Sequence, residues 1–428
     1  MRIEKLTAMR LRRLLSVFVF VLWGGGLFAT VFVSGAAAQL LEPETSRGAP
    51  ADADEVRERI AAVEKRLPQI PDRAAALYFL AASKQHLGET LEALKLLKEC
   101  LALQEGFDPS GSPVLKVLKG DKEFDDLVKD VHREFPVVAQ ARRAFVSEEK
   151  NLIPEGLAFD SQQNVFYLGS LLQHKIVKIP MNGKASDFVP AGRDHLLPVL
   201  GIRVDPNDGT VWANSWNENG DRSELLHFDG FGNLLGRFAP SDAAKHGFND
   251  LVVAKNGFVL LTDSVSNQVF RFDPGAHMFA AIPIYRELSA PNGIALSDDQ
   301  QQLFVADDFG MVNVDLKSDK SVEVNPGAHN TVAGTDGLYW YKGSLIAVQN
   351  GIGSPRIAAF RLSPDGSRVV KTTVLENRSA FMDQPTTGAI DGDNFYFIVN
   401  SQGGNLNGNH VLDVTTLARV RIGVLHLP

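Results

Sequence analysis

A unit of about 45 residues recurs six times between residue 156 and the C-terminus, and nothing else in the chain constrains its fold so tightly. Each unit opens on Gly or Asp, continues with three or four alternating apolar residues, turns through polar residues, and ends a second strand near Asp or Asn. The six copies are "GLAFDSQQNVFYLGS", "GIRVDPNDGTVWANS", "DLVVAKNGFVLLTDS", "GIALSDDQQQLFVAD", "GLYWYKGSLIAVQN" and "GAIDGDNFYFIVNS", starting at Gly156, Gly201, Asp250, Gly293, Gly337 and Gly388. Successive starts lie 45, 49, 43, 44 and 51 residues apart. A period in the mid-forties holds four short strands, which is the content of one β-propeller blade. The sequence therefore predicts a mainly β fold, a six-bladed propeller over residues 151–428. An open ring would expose strand edges, so the first and last blades must be joined. Either "RAFVS" at 143–147 or "VRIGVLHL" at 420–427 can supply the closing strand.

What precedes the repeats has a different character. Arg10, Arg12 and Arg13 lead into the apolar run "LLSVFVFVLWGGGLFATVFVSG" and then "AAAQ", the layout of a secretory signal peptide over residues 1–38, cleaved after Ala38. The run is also long enough to span a bilayer, so an uncleaved membrane anchor is the alternative. Both place the remainder outside the cytoplasm, periplasmic or secreted. Residues 39–54 are polar and aperiodic and read as a linker. The net charge of −8, with no basic cluster beyond the leader, excludes a nucleic-acid-binding footprint. The single cysteine, Cys100, excludes an intrachain disulfide and reads as a buried, inert thiol.

Residues 55–135 carry helical periodicity. "ALYFLAASKQHLGETLEALKLLKECLAL" divides at Gly88 into two apolar-striped helices. Leu77, Leu80, Ala81, Leu87, Gly88, Ala93 and Leu101 stand at the spacing of a tetratricopeptide repeat, which this small α-helical module resembles. Helices around 56–66 and 112–134 are expected to cover its two sides. Such a module either docks a protein partner or caps the following domain. Residues 136–150 read as a linker or the closing strand.

In a propeller the first strand of each blade lines the central channel, so equivalent positions at its start form a ring around one mouth. The residue before each repeat start is Glu155, Leu200, Asn249, Asn292, Asp336 and Thr387. Four of these offer carboxylate or amide oxygens. Hard cations such as Ca2+ take such oxygens as ligands, whereas the absence of His and Cys from the ring disfavours zinc and copper.

"IPEGLAFD", "FNDLVVAKNGFVLLTDS", "PNGIALSDDQQQLFVAD" and "TDGLYW" resemble the signature segments of the gluconolactonase, regucalcin and luciferin-regenerating-enzyme family, over residues 151 to about 400. The resemblance implies one divalent cation, most often Ca2+, in the channel, with Glu155, Asn292 and Asp336 as its ligands and Asn249 at the metal and substrate site. It also implies an Arg two residues before Asn249 in members acting on sugar lactones. Gly247 stands there instead, which directs attention to a different lactone or ester.

The chemistry that follows is metal-assisted hydrolysis of a small-molecule lactone or similar ester, with Asp336 as general base, Glu155 as the second candidate, and His246, His195, Asn249 and Thr387 within reach of substrate. Two rival readings are a non-catalytic propeller with a structural metal and a metal-free condensation, the latter disfavoured by the oxygen-rich ring. Trp212, Trp216 and Trp340 read as blade packing, and Asp263, Asp307 and Asp308 as turn residues.

Overall fold

A computed structural model describes residues 53–428 except 218–219, 408–409 and 412–413. The expected leader over 1–38, and all but the last residues of the expected linker, lie outside the described residues. Among the described residues no helix is long and apolar enough to cross a membrane.

Among the described residues the N-terminal region has four α-helices: α1 (Ala53–Arg66), α2 (Arg73–His86), α3 (Thr90–Leu101) and α4 (Lys122–Glu134). Asp72 starts α2 by accepting the Ala75 N–H at 2.8 Å, satisfying one of the donors that a helix end leaves free. Gly88, at φ +76°, turns the chain into α3. Cys100 Sγ donates to the Ala74 carbonyl at 3.3 Å, and burial pushes its thiol pKa well up, as befits an inert packing residue. The helix expected over 112–134 begins only at Lys122. Gly120 takes φ +100°, and Asp121 then caps α4 by accepting the Phe124 N–H at 3.1 Å. Short 3-10 turns at Pro109–Gly111 and Leu115–Leu118 fill the stretch before it.

Six antiparallel sheets follow, each a blade, and together they form the six-bladed propeller that the repeat predicts. Their inner strands are Pro154–Asp160, Val199–Val204, Phe248–Val253, Ile294–Leu296, Thr335–Tyr341 and Gly388–Asp391. Six apolar clusters each join two neighbouring blades, so both faces of every sheet are covered. Blade five meets blade four through Leu338, Leu345 and Phe360 on one face and blade six through Tyr339, Ile346 and Leu375 on the other. Alternating apolar residues on both faces of these strands are what that arrangement requires.

Both candidate closing segments lie in blade six. Arg421–His426 is its third strand, and Arg142–Val146 pairs antiparallel with it as the outermost strand. The chain thus closes its ring by joining N-terminal to C-terminal sequence in one sheet. Just before this strand, Val138–Ala139 adds a fifth strand to blade five by pairing with Val369–Asn377.

The helical region packs on blades four and five. Phe309, Ala333 and Ile352, in loops of those blades, belong to the same apolar core as α1, α2 and α3. Phe79 meets Phe309 edge-on at 6.2 Å. The Asp108 N–H donates to the Ile352 carbonyl at 3.0 Å, and the Asp108 carbonyl accepts from the Ser354 N–H at 2.9 Å. These loops lie where inner strands begin and second strands end, which is the end of the propeller that carries the ring positions.

Candidate functional site in the channel mouth

The ladder between the first two strands breaks at the ring position in four blades. Cross-strand register skips between Pro154 and Leu157, Val199 and Ile202, Phe248 and Leu251, and Thr335 and Leu338. The skipped pairs are Glu155–Gly156, Leu200–Gly201, Asn249–Asp250 and Asp336–Gly337. A β-bulge releases residues from the ladder and re-aims their side chains, and here it does so at one level around the axis. The inner strands crowd together there. A Cβ on Gly156 would lie 1.9 Å from the Leu200 carbonyl oxygen, and one on Gly293 would lie 2.3 Å from that of Asp336. At Gly156 and Gly293 the repeat glycine is therefore a requirement of close backbone approach between neighbouring blades.

All four oxygen-bearing ring residues are buried: Glu155, Asn249, Asn292 and Asp336 are 3%, 4%, 6% and 1% exposed. Glu155 Oε1, Asn292 Oδ1 and Asp336 Oδ1 are buried with no hydrogen-bond partner. Among the described residues neither carboxylate has a basic side chain within 4.0 Å. Burial pushes both carboxyl groups well above the usual carboxylate range. The negative charges of Asp336 and Asp250 add to that effect at Glu155, and that of Asp250 adds to it at Asp336. A buried carboxylate without a partner is expensive, so the arrangement calls for protons or a cation.

The remaining contacts fix these groups in place. Asn350 donates to Asp336 Oδ2 at 2.7 Å and to the Pro385 carbonyl at 3.0 Å. Asn249 donates to Ser264 Oγ at 3.0 Å, and Ser264 donates to the Pro291 carbonyl at 2.7 Å. Thr387 donates its hydroxyl to the Glu155 carbonyl and accepts the Leu157 N–H at 3.2 Å, so it ties blade six to blade one. Leu200 packs with Ile153, Leu171, Trp216 and Leu417 in an apolar cluster.

The two histidines expected near substrate, His246 and His195, have surroundings of their own. His246 is held from both ring nitrogens, by Asp263 Oδ2 at 2.6 Å and Asp242 Oδ1 at 2.9 Å. Burial opposes its charge, but these two bonds outweigh burial and raise its pKa. His195 is exposed, in a 3-10 turn after the last strand of blade one. Asp263 does serve a turn: its Oδ1 accepts the N–H groups of Gly247, Val265 and Ser266.

Asp250, Arg203, Asn350 and Tyr339 do not stand out in the sequence as site residues. Arg203 Nη2 donates to Asp250 Oδ2 at 2.8 Å, and its guanidinium lies 5.2 Å from the Tyr339 ring centroid. Asp250 occupies a repeat-start position where the other units have Gly, and that irregularity is the one available signal. Asp250 has Arg203 as its ion-pair partner, whereas Glu155 and Asp336 have no basic partner among the described residues.

These residues fit a hard divalent cation. Three unpartnered oxygens on one ring, two of them carboxylate, match its donor chemistry and its charge. Among the described residues no three His, Cys, Asp or Glu side chains gather as a metal cluster, so the fit rests on mixed carboxylate and amide oxygens.

Fold and site together define a six-bladed β-propeller with an acidic, oxygen-lined channel mouth. No protein-family model and no curated protein matches the chain. Among solved structures, it is similar to a gluconolactonase from Xanthomonas campestris at 16% identity, covering 68% of this chain and 91% of that one, with a TM-score of 0.47. It is also similar to virginiamycin B lyase from Staphylococcus aureus at 14% identity, covering 67% and 99%, TM-score 0.47. For a luciferin-regenerating enzyme the figures are 14%, 65%, 92% and 0.45. Likeness at this level names no substrate.

Proposed function

We propose that Glu155, Asn249, Asn292 and Asp336 hold one divalent cation, Ca2+ by its preference for oxygen, and that the site hydrolyses a lactone or similar ester outside the cytoplasm. The observation that carries this reading is the set of unpartnered buried oxygens on Glu155, Asn292 and Asp336. When bound, such a cation supplies Lewis-acid polarisation of a carbonyl and lowers the pKa of a neighbouring water. Asp336, whose Oδ2 is fixed by Asn350, is the general base in this reading. Glu155, bonded through its carbonyl to Thr387, gives the site its second negative charge.

Substrate class follows from the neighbouring wall. A Cβ on Gly247 would meet Val265 Cγ2 at 2.6 Å and Trp216 Cη2 at 3.0 Å, so no side chain can stand there to hold sugar hydroxyls. Leu200, itself a ring position, packs with Leu171 and Trp216, and this apolar member of the ring favours an apolar lactone or aryl ester over an aldonolactone.

A second reading, a structural cation in a non-catalytic propeller, draws on the near-complete burial of all four ring residues and on the helical region packed at the same end. A lactone and aryl-ester panel with Asp336→Ala as control, run beside metal analysis of the purified chain, separates the two. Bound Ca2+ with uniform inactivity selects the structural reading. No bound divalent cation, together with unchanged stability and activity of Glu155→Gln, overturns both.

A further inference from the structure

Away from the channel, a cleft of about 390 Å³ lies between the end of α4 and blade five. Its lining includes Phe135, Pro326, Arg356, Val369, Lys371 and Thr372. Arg356 is 4% exposed, and among the described residues no carboxylate lies within 4.0 Å of its guanidinium. Its Nε donates to Gln349 Oε1 at 2.6 Å and its Nη2 to the Thr331 carbonyl at 3.0 Å, both neutral acceptors. Nη1 is left without an acceptor and packs against Gly106, where a Cβ would come within 2.4 Å of it and 3.7 Å of the Phe135 ring. Burial pulls the Arg356 pKa down to about 10, and Asp72 is the one carboxylate that acts against this. The Asp72 carboxylate is itself committed to the α2 N-terminus, to Thr331 and to Glu105. A buried guanidinium held only by neutral acceptors is an incomplete arrangement.

We propose that this cleft binds a small organic carboxylate with a short apolar tail, seated on Arg356 Nη1 and covered by Phe135 and Val369. A carboxylate suits the one uncommitted guanidinium nitrogen. Lys371 adds a second positive charge. Thr372 Oγ1 accepts from Asn330 at 2.8 Å and so keeps its own hydrogen to donate. Phe135, Pro326 and Val369 give an apolar tail a surface that inorganic phosphate would leave uncovered. The Thr331 carbonyl on Arg356 belongs to the loop that leads into the strand bearing Asp336, so the cleft and the channel mouth share one segment of backbone.

The test is calorimetric titration of the full chain with sodium hexanoate, acetate and inorganic phosphate, each in the presence of Ca2+. Saturable hexanoate binding is expected, with acetate weaker and phosphate weaker still. Arg356→Met should weaken hexanoate about tenfold or more, the loss of one charge-assisted hydrogen bond. Phe135→Ala should bring hexanoate down toward acetate, and it decides alone if Arg356→Met does not fold. Absent saturation, phosphate binding as tightly as hexanoate, or unchanged hexanoate affinity in Phe135→Ala or a folded Arg356→Met overturns the proposal.

Discussion

Asp336 lies on the inner strand of blade five and Asn350, 14 residues on, directly follows the second, and the Asn350 amide nitrogen holds Asp336 Oδ2 at 2.7 Å. The same nitrogen donates to the Pro385 carbonyl, so one side chain orients the proposed base and anchors the loop leading into blade six. Residues behind a metal ligand commonly matter almost as much as the ligand. Asn350→Ala is therefore expected to weaken Ca2+ binding about 10- to 100-fold, measured by calorimetry, while a thermal melt of the Ca2+-free protein shows a far smaller change than Asp336→Ala does with Ca2+ present.

Close approach around the axis gives a second expectation. Gly293→Ala would place a methyl 2.3 Å from the Asp336 carbonyl oxygen, and backbone has little room to yield there. The substitution should cost about 1–3 kcal/mol and lower Ca2+ affinity, because the displaced strand carries a ring residue. Gly392→Ala, whose Cβ meets nothing within 4 Å but which has φ +57°, provides the strained control that leaves the ring alone. Equal Ca2+ affinities in the two variants would break the link between blade spacing and the site.

The contact between the helical region and the propeller should weaken as pH rises. Burial lifts Glu105, beside Asp72, to about 8, and lifts Asp308, near Arg59 and Arg66 of α1, to about 8. Both are carboxyls with folded pKa values above their unfolded ones. Their contribution is then complete below about pH 4 and declines as pH passes through about 8. With Ca2+ held constant, the melting temperature should fall between pH 5 and 9 by roughly the span in which these groups ionise. Glu105→Gln and Asp308→Asn should each flatten that slope. A slope unchanged in the double variant would assign it elsewhere.

Ring closure can be probed at Phe145. It is 6% exposed, its ring lies 5.2 Å from Phe166 of blade one, and its strand completes blade six. Phe145→Ala should cost about 3–5 kcal/mol in chemical denaturation, whereas Leu235→Ala, at a position 55% exposed, should cost almost nothing.

The fold was legible because one unit recurs six times and repeats its turn residues as well as its apolar alternation. The register of the repeat is likewise what places Glu155, Asn249, Asn292 and Asp336 at one equivalent position, in blades one, three, four and five. Asn350 and Arg203 were not legible. Asn350 follows a second strand, where a polar residue before a turn is ordinary, and only the bulge at Asp336–Gly337 brings the two strands' side chains together. Arg203 lies on an inner strand at a position that reads as half-exposed, and its partner Asp250 comes from the next blade. Blade-to-blade contacts of this kind have no local signature. Nor could the sequence choose between two closing segments, because blade six uses both.

Blade six also has a consequence in time. Arg142 pairs with Val424, so its strand waits for one made 282 residues later before it finds its neighbour. Closing so long a loop is a costly, non-local event that slows folding. Until Arg421–His426 emerges, blade six lacks its third strand and the edges on either side of the gap stay open to other chains. Synthesis of Arg421–His426 is thus the step that turns an aggregation-prone arc of sheets into a sealed wheel.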